Sequence, residues 1–345
     1  MAISFADARL LCVAPSWLGD AVMARGAVAR LGRAGYAVDV WARGTLGRIF
    51  EDLPGVRAVL RMPATRRERF ACAWHMRRPP YDAALVLPPS WSAACAGACT
   101  GAGIRVGFRA FGSRAFFTHP VLSPGRTVHL ATQYDALATA TFGALGTAPP
   151  VDLVVPALVQ TGPERDAAAA VRQAHGIVEP YAVLAPGARY GPAKRWPAER
   201  FAEAAALLRQ QCGYTVILVG DGLDVATTQA VSRLDPGSID LAGMTPLAAL
   251  FGLLAGSAGV IANDSGTMHV AAALGRPVVG VFGSSDPRWT APHGPRAAWV
   301  AEPPWCAPCF GPTCREDFAC MLRITPKRVV EMLLAMARLP GPAGP

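Results

Sequence analysis

The residues of this chain best placed to do chemistry are Asn263, Asp264, Ser265, Gly266, Thr267 and His269, where an apolar run gives way to an alanine-rich helical pattern. Residues 259–262 read as a buried strand, and the stretch through Ala273 reads as a helix that stops at Gly275. A strand that ends at Asn-Asp and resumes as a helix on Ser-Gly-Thr presents free backbone N–H groups at the positive end of that helix. Small side chains there let an anion approach closely, so the arrangement suits phosphate or pyrophosphate. The plain alternative is an ordinary strand-to-helix turn with Ser265 as N-cap.

Two further positions could act with that segment. Asp20 follows a strand pattern at residues 10–14 and the turn Pro15-Ser16-Trp17-Leu18-Gly19, at or beside the start of a helix. It is either a capping carboxylate or a base held at the carboxyl end of a strand. Lys194 lies in the Pro- and Gly-rich loop 185–197, ahead of Pro197, which is suited to a first helical turn. Only Lys194 and Lys327 are lysines in a chain that otherwise uses arginine. A compact ammonium on a flexible stem is a good point charge for a diphosphate, and an exposed basic residue before a helix is the bland reading.

The elements that must hold these residues form two alternating series. Strand patterns at 10–14, 38–41, 56–60, 83–87 and 104–108 make the first; those at 182–184, 215–219, 239–241, 260–262 and 278–282 make the second. Helical segments between them, starting near Pro197, Asp224, Pro246 and Gly266 in the second series, predict parallel sheets covered on both faces. Pro149, Pro150, Pro156 and Pro163 mark a junction. The expectation is an α/β protein with residues 1–155 as one Rossmann-like domain, 164–324 as another, and a closing helix and tail at 325–345. Two such domains would set the carboxyl ends of their sheets across a cleft, where open α/β folds bind ligands.

Length and composition agree with that division. The chain has 345 residues, 52% of them hydrophobic and 17% charged, which suits two buried cores and argues against disorder. No apolar stretch reaches membrane-spanning length, and Asp7 and Arg9 precede only a short apolar run, unlike a secretory signal. A cytoplasmic location is expected. The net charge of +9 is a matter of arginine, and together with abundant Ala, Gly and Pro it reads first as compositional bias. Arg61, Arg66, Arg67, Arg69, Arg77 and Arg78 nevertheless form a local cluster that could meet an acidic ligand or membrane face. It lacks regularly interleaved aromatics, so nucleic acid is not expected as a partner.

Taken together, PSWLGDAVM, PGARYGPAKRWP, NDSGTMHVAAALGRPVVGVFGSSDP and a late cysteine cluster resemble the ADP-heptose–lipopolysaccharide heptosyltransferases of the second type, in glycosyltransferase family 9. These pieces run from residue 15 to about 330, and their order and spacing make the resemblance specific. It implies a GT-B fold whose first domain takes the acceptor and whose second takes the donor. It also implies inverting transfer of L-glycero-D-manno-heptose from ADP-heptose to the first heptose of the lipopolysaccharide inner core, with no required cofactor and a divalent cation left open. Carried onto these residues, Asp20 becomes the general base and Lys194 the diphosphate lysine. Asp264, Ser265, Gly266, Thr267 and His269 become the cradle of the donor's phosphates and sugar, though His269 also reads as a helix histidine satisfied by a neighbour. Asp224 falls near the nucleotide ribose, with Asp221 a rival in the same turn. Ser16, Trp17, Arg66 and Arg67 are candidate contacts to an anionic core acceptor, and the enzyme would work in peripheral contact with the cytoplasmic face of the inner membrane.

Cys306, Cys309, Cys314 and Cys320 are separated by two, four and five residues, a spacing irregular for zinc modules. The expectation is a structural or packed role and no metal, with a metal at these four the weaker option. The competing functions are a family member with another acceptor, either Kdo or a protein, and a non-catalytic protein that binds nucleotide sugars. A dinucleotide oxidoreductase is disfavoured, because no Gly-x-Gly-x-x-Gly follows the first strand of either series.

Overall fold

The computed structural model describes residues 8–110, 112–150 and 155–341, so Asp7 lies outside the described residues. The chain divides into two compact units, Met1–Pro156 and Ala157–Pro345. In the first, β1 (Arg9–Val13), α1 (Leu18–Arg33), β2 (Ala37–Arg43), β3 (Val56–Met62), α2 (Arg66–His75), β4 (Ala83–Val86), α3 (Trp91–Cys99), β5 (Ile104–Phe108), β6 (His119–Val121) and α4 (Leu130–Ala144) follow in order. The strands make one parallel sheet ordered β3-β2-β1-β4-β5-β6. Leu10 pairs with Val38 on one side and Ala83 on the other. β1 is a continuous apolar run because helices cover both its faces. The carboxyl end of β1 is where the strand order reverses, the usual place for a ligand in a doubly wound sheet. α1 follows that end directly, fixed by buried Arg25, whose two terminal nitrogens hold Asp52 at 2.8 and 3.0 Å.

The second unit repeats the wiring. It runs α5 (Gly162–Ala174), β7 (Tyr181–Ala185), α6 (Ala198–Cys212), β8 (Thr215–Leu218), α7 (Val225–Leu234), β9 (Ile239–Asp240), α8 (Leu247–Gly256), β10 (Gly259–Asn263), α9 (Gly266–Ala273) and β11 (Val278–Phe282). A single turn α10 (Pro287–Thr290), β12 (Ala297–Ala301), a second single turn α11 (Ala319–Leu322) and α12 (Pro326–Arg338) complete it. The parallel order is β12-β11-β10-β7-β8-β9, with its reversal between β7 and β10. β7, β10 and β11 are buried along their whole length. α12 lays Val329, Val330 and Leu333 into the same core as Ile261, Val279 and Val281.

The strands expected from apolar patterning coincide closely with these, and the α/β class with two parallel sheets holds. β6 and β12 were not expected. Both are edge strands: β6 is three residues long and mostly exposed, and in β12 only Val300 is fully buried, so neither carries a strong apolar signature. No helix among the described residues is long and apolar enough to cross a membrane.

Candidate functional site

In the second unit the loops after β7 and β10, on either side of the strand-order reversal, converge. Asn263 ends β10 fully buried; its Oδ1 accepts from the Trp196 backbone N–H at 3.0 Å, and its Nδ2 donates to the Pro186 carbonyl at 2.7 Å. One amide thus ties the Lys194 loop to the strand that leads into α9. The Lys194 ammonium then donates to Asp264 Oδ2 at 2.5 Å, and Ser285 Oγ donates to the same oxygen at 2.6 Å. Lys194 also lies 5.2 Å from the centre of the Tyr190 ring. An ammonium has three protons, and one serves Asp264. Asp264 is therefore the anchor that aims Lys194, and the remaining protons are available to an anion.

Ser265 occupies the N-cap position of α9 without capping it, and its Oγ is buried with no hydrogen-bond partner. The Oγ of Ser284, in the turn after β11, is in the same state. Buried hydroxyls normally find partners, so two unsatisfied ones beside a helix start and a lysine mark a place where a polar ligand fits. Gly266 and Thr267 form the first turn of α9, and His269 is buried further along it with a partner of its own. The N-cap hydrogen bond that Ser265 would accept under the plain alternative is absent, which leaves that hydroxyl for another acceptor or donor.

Asp224 sits at the start of α7, half-buried, and accepts a hydrogen bond from the Asp221 backbone N–H at 3.2 Å. Burial pushes its carboxyl above the ordinary range; the hydrogen bond from the Asp221 N–H opposes the rise, the Asp221 charge adds to it, and Arg195 and Arg189 oppose it. The Gly187 backbone approaches so closely that a Cβ there would fall into the Asp224 carboxylate. Asp221 is instead exposed and paired with Arg189 at 2.5 Å. Both rivals touch the loop after β7, Asp221 through the Arg189 side chain and Asp224 through the Gly187 backbone, and Asp224 is the more buried of the two.

The late cysteine loop braces this site. Tyr190 donates its hydroxyl to the Phe310 carbonyl at 2.8 Å, the Phe310 N–H donates to the Ser284 carbonyl at 2.7 Å, and the Ala193 N–H donates to the Pro312 carbonyl at 3.0 Å. Cys306, Cys309, Cys314 and Cys320 are free thiols. Cys320 is pushed above the ordinary thiol range by burial first and by Cys314, Cys306 and Cys309 after it, which places the four near one another. Among the described residues no three His, Cys, Asp or Glu side chains are grouped to hold a metal ion.

In the first unit, Asp20 lies in the first turn of α1, whose N-cap position is Trp17 and not Asp20. Tyr134 of α4 is buried nearby, its phenol held well above the usual range by burial and then by the charge of Asp20. Ser16 and Trp17 are exposed ahead of it. Ser16 and Arg66 line one cavity; Arg67 does not, whereas Arg43 and Arg69 do. Arg77 turns away to stack on Trp74, 3.7 Å from its ring centre. Motif reading gave no role to Arg43, Ser284 or Ser285, and gave Asn263 only the end of a strand. The Ser-Ser-Asp-Pro turn after β11 was the available signal for the two serines.

A family model described as glycosyltransferase family 9 (heptosyltransferase) matches residues 69–319, which begins after the Asp20 segment. The chain is 30% identical over 349 residues to lipopolysaccharide heptosyltransferase 2 of Escherichia coli K12, covering 95% of this chain and 98% of that one. Its fold matches the solved E. coli ADP-heptose lipopolysaccharide heptosyltransferase II with a TM-score of 0.78 and 29% identity, over 95% of this chain and 98% of the other. An E. coli heptosyltransferase solved with ADP, 19% identical, shares the fold with a TM-score of 0.69 over 95% of this chain and 99% of that one.

Proposed function

The chain belongs to glycosyltransferase family 9, the heptosyltransferases, and we propose from that premise that it moves a heptose from ADP-heptose onto the first heptose of a lipopolysaccharide inner core, with inversion. The observation that carries the donor half is the Lys194–Asp264–Ser285 contact beside the unsatisfied Ser265 hydroxyl at the start of α9. A diphosphate at that point meets an aimed ammonium and free N–H groups, which stabilise the charge growing on ADP as its bond to the anomeric carbon breaks. Asp224 accepts from the ribose hydroxyls. Asp20 takes the proton of the acceptor hydroxyl as that oxygen bonds to the anomeric carbon from the face opposite ADP. A diphosphate leaves without help from an acid, so one base is sufficient, unlike the pair that glycoside hydrolysis needs. The first unit takes the acceptor, the second the donor, and the enzyme works in peripheral contact with the cytoplasmic face of the inner membrane.

The test is incubation of the purified protein with ADP-heptose and a panel of truncated inner-core acceptors, with products read by mass. Asp20→Asn keeps the size of the side chain and removes the base. It should lower kcat by about 10²- to 10⁴-fold with ADP affinity unchanged. A variant that transfers heptose at the wild-type rate would remove Asp20 from the mechanism.

A further inference from the structure

The cavity lined by Ser16, Arg43, Arg66, Arg69, Ser90 and Ser92 in the first unit is about 310 Å³. It lies at the carboxyl ends of β1, β2, β3 and β4. Arg43 ends β2, Arg66 opens α2, and Arg69 sits one turn further along. Ser90 caps α3, accepting from the Ala93 N–H at 3.3 Å, and Ser92 is in the first turn of that helix. The cavity therefore also sits at the starts of two helices, where backbone dipoles favour negative charge.

The three arginines converge on one cavity whose lining contains no carboxylate. Elsewhere in this unit Arg25 is matched by Asp52, Arg30 by Asp135 and Arg57 by Asp39. Among the described residues no carboxylate pairs with Arg43, Arg66 or Arg69, and the Nε of Arg69 is buried with no hydrogen-bond partner. Burial, then the charges of Arg43 and Arg66, draw the Arg69 guanidinium below its ordinary range. Three convergent cations without an acid are unfavourable in the empty protein, and an anion in the cavity offsets that cost.

We propose that this cavity is a phosphomonoester subsite that holds a phosphate group carried by the sugar acceptor. Three guanidinium groups and three hydroxyls surround a tetrahedral dianion with enough donors for every oxygen, whereas a single carboxylate would leave charge unmatched. Ser16 precedes Asp20 by four residues, so their backbones are at most about 14 Å apart. An acceptor gripped by its phosphate at Ser16 thus keeps a neighbouring sugar hydroxyl within reach of the base. The acceptor half of this inference rests on the transfer reaction proposed above; the anion half stands on the cavity alone.

The experiment titrates inorganic phosphate into the full-length protein with ADP in excess, and repeats the titration with Arg43→Gln and Arg69→Gln. Retained ADP binding serves as the check that each variant is folded. Phosphate should bind the wild type and lose about 10- to 100-fold in affinity in each variant. Sulfate should displace it and acetate should not. In kinetics both variants should raise the acceptor KM by a similar factor and leave the donor KM unchanged, and free phosphate should compete with acceptor only. Equal phosphate affinity in wild type and both variants, or displacement by acetate as readily as by sulfate, would overturn the subsite. Phosphate binding as expected with an unchanged acceptor KM would overturn its role toward the acceptor. Asp20→Asn retains all three arginines and so binds phosphate even if Asp20 is not the base, which separates failure of the subsite from failure of the reaction.

Discussion

Asp224 is a carboxylate in surroundings that oppose its charge, since burial raises its pKa above the ordinary 3.8 despite the hydrogen bond from the Asp221 N–H, which lowers it. A folded-state pKa above the unfolded one means the folded protein holds that proton more tightly. The stabilisation this gives is complete below about pH 4 and is lost as pH rises through the elevated value. At neutral pH the ionised side chain is therefore a net cost to folding, a cost that the proposed contact to the ribose diol would offset. Asp224→Asn should raise Tm by about 1–2 °C at pH 7. The gain should close below pH 4, and ADP affinity at pH 7 should fall by about tenfold. In the wild type, ADP affinity should weaken on acidification sooner than an ordinary carboxylate would dictate. Melting curves and ADP titrations between pH 4 and 8 decide it, and an Asn variant less stable than wild type at pH 7 would contradict the argument.

Between elements, Asn263 does at the end of β10 what no single loop does for itself: it satisfies the Trp196 N–H and the Pro186 carbonyl, both from the loop after β7. Asn263→Ala removes both partners inside the core and should cost about 2–3 kcal/mol of stability. It should also raise the donor KM, because the Lys194 loop loses its tie to α9; a melting temperature equal to wild type would show that the loop is held by other means. This junction also marks how far the sequence is legible. The buried strands and the helix starts at Gly266 and after Pro197 carry strong local signals, because a strand covered on both faces must be apolar throughout and a helix start requires particular residues. Those signals also located Asp264, directly after β10, and Asp20 and Lys194, in the segments that follow β1 and β7. The arginine cavity was only half visible. Arg66 and Arg69 share a helix, but Arg43 and Ser90 reach the cavity from other loops, and linear spacing does not encode which loops meet. The cysteine loop was read as structural or packed, and it buttresses the Tyr190–Lys194 loop through backbone carbonyls, a detail that no side-chain pattern announces.

At the scale of the whole chain, the chemistry divides as the fold does. Lys194, Asp224, Asp264, Ser265 and Ser285 all lie in the unit Ala157–Pro345, and Asp20, Tyr134 and the three cavity arginines lie in Met1–Pro156. Each unit has its own complete parallel sheet, and the second keeps α12 within its own core. Its first described strand of chain is also fastened, since the Leu158 N–H donates to the Ala273 carbonyl at 2.8 Å, at the end of α9. A cut after Pro156 therefore breaks no strand pairing of the second sheet and removes none of its donor-side residues. Residues 157–341 produced alone should melt cooperatively and bind ADP within about threefold of the full chain, less than 1 kcal/mol on the affinity scale. The same fragment should transfer no heptose, because it lacks the proposed base and acceptor cavity. Calorimetry of the fragment with ADP reads both the fold and the site. A cooperative melt combined with ADP affinity reduced more than about tenfold would mean that residues outside the second unit help to hold the nucleotide, and the proposal that donor binding rests on the second unit alone would fail.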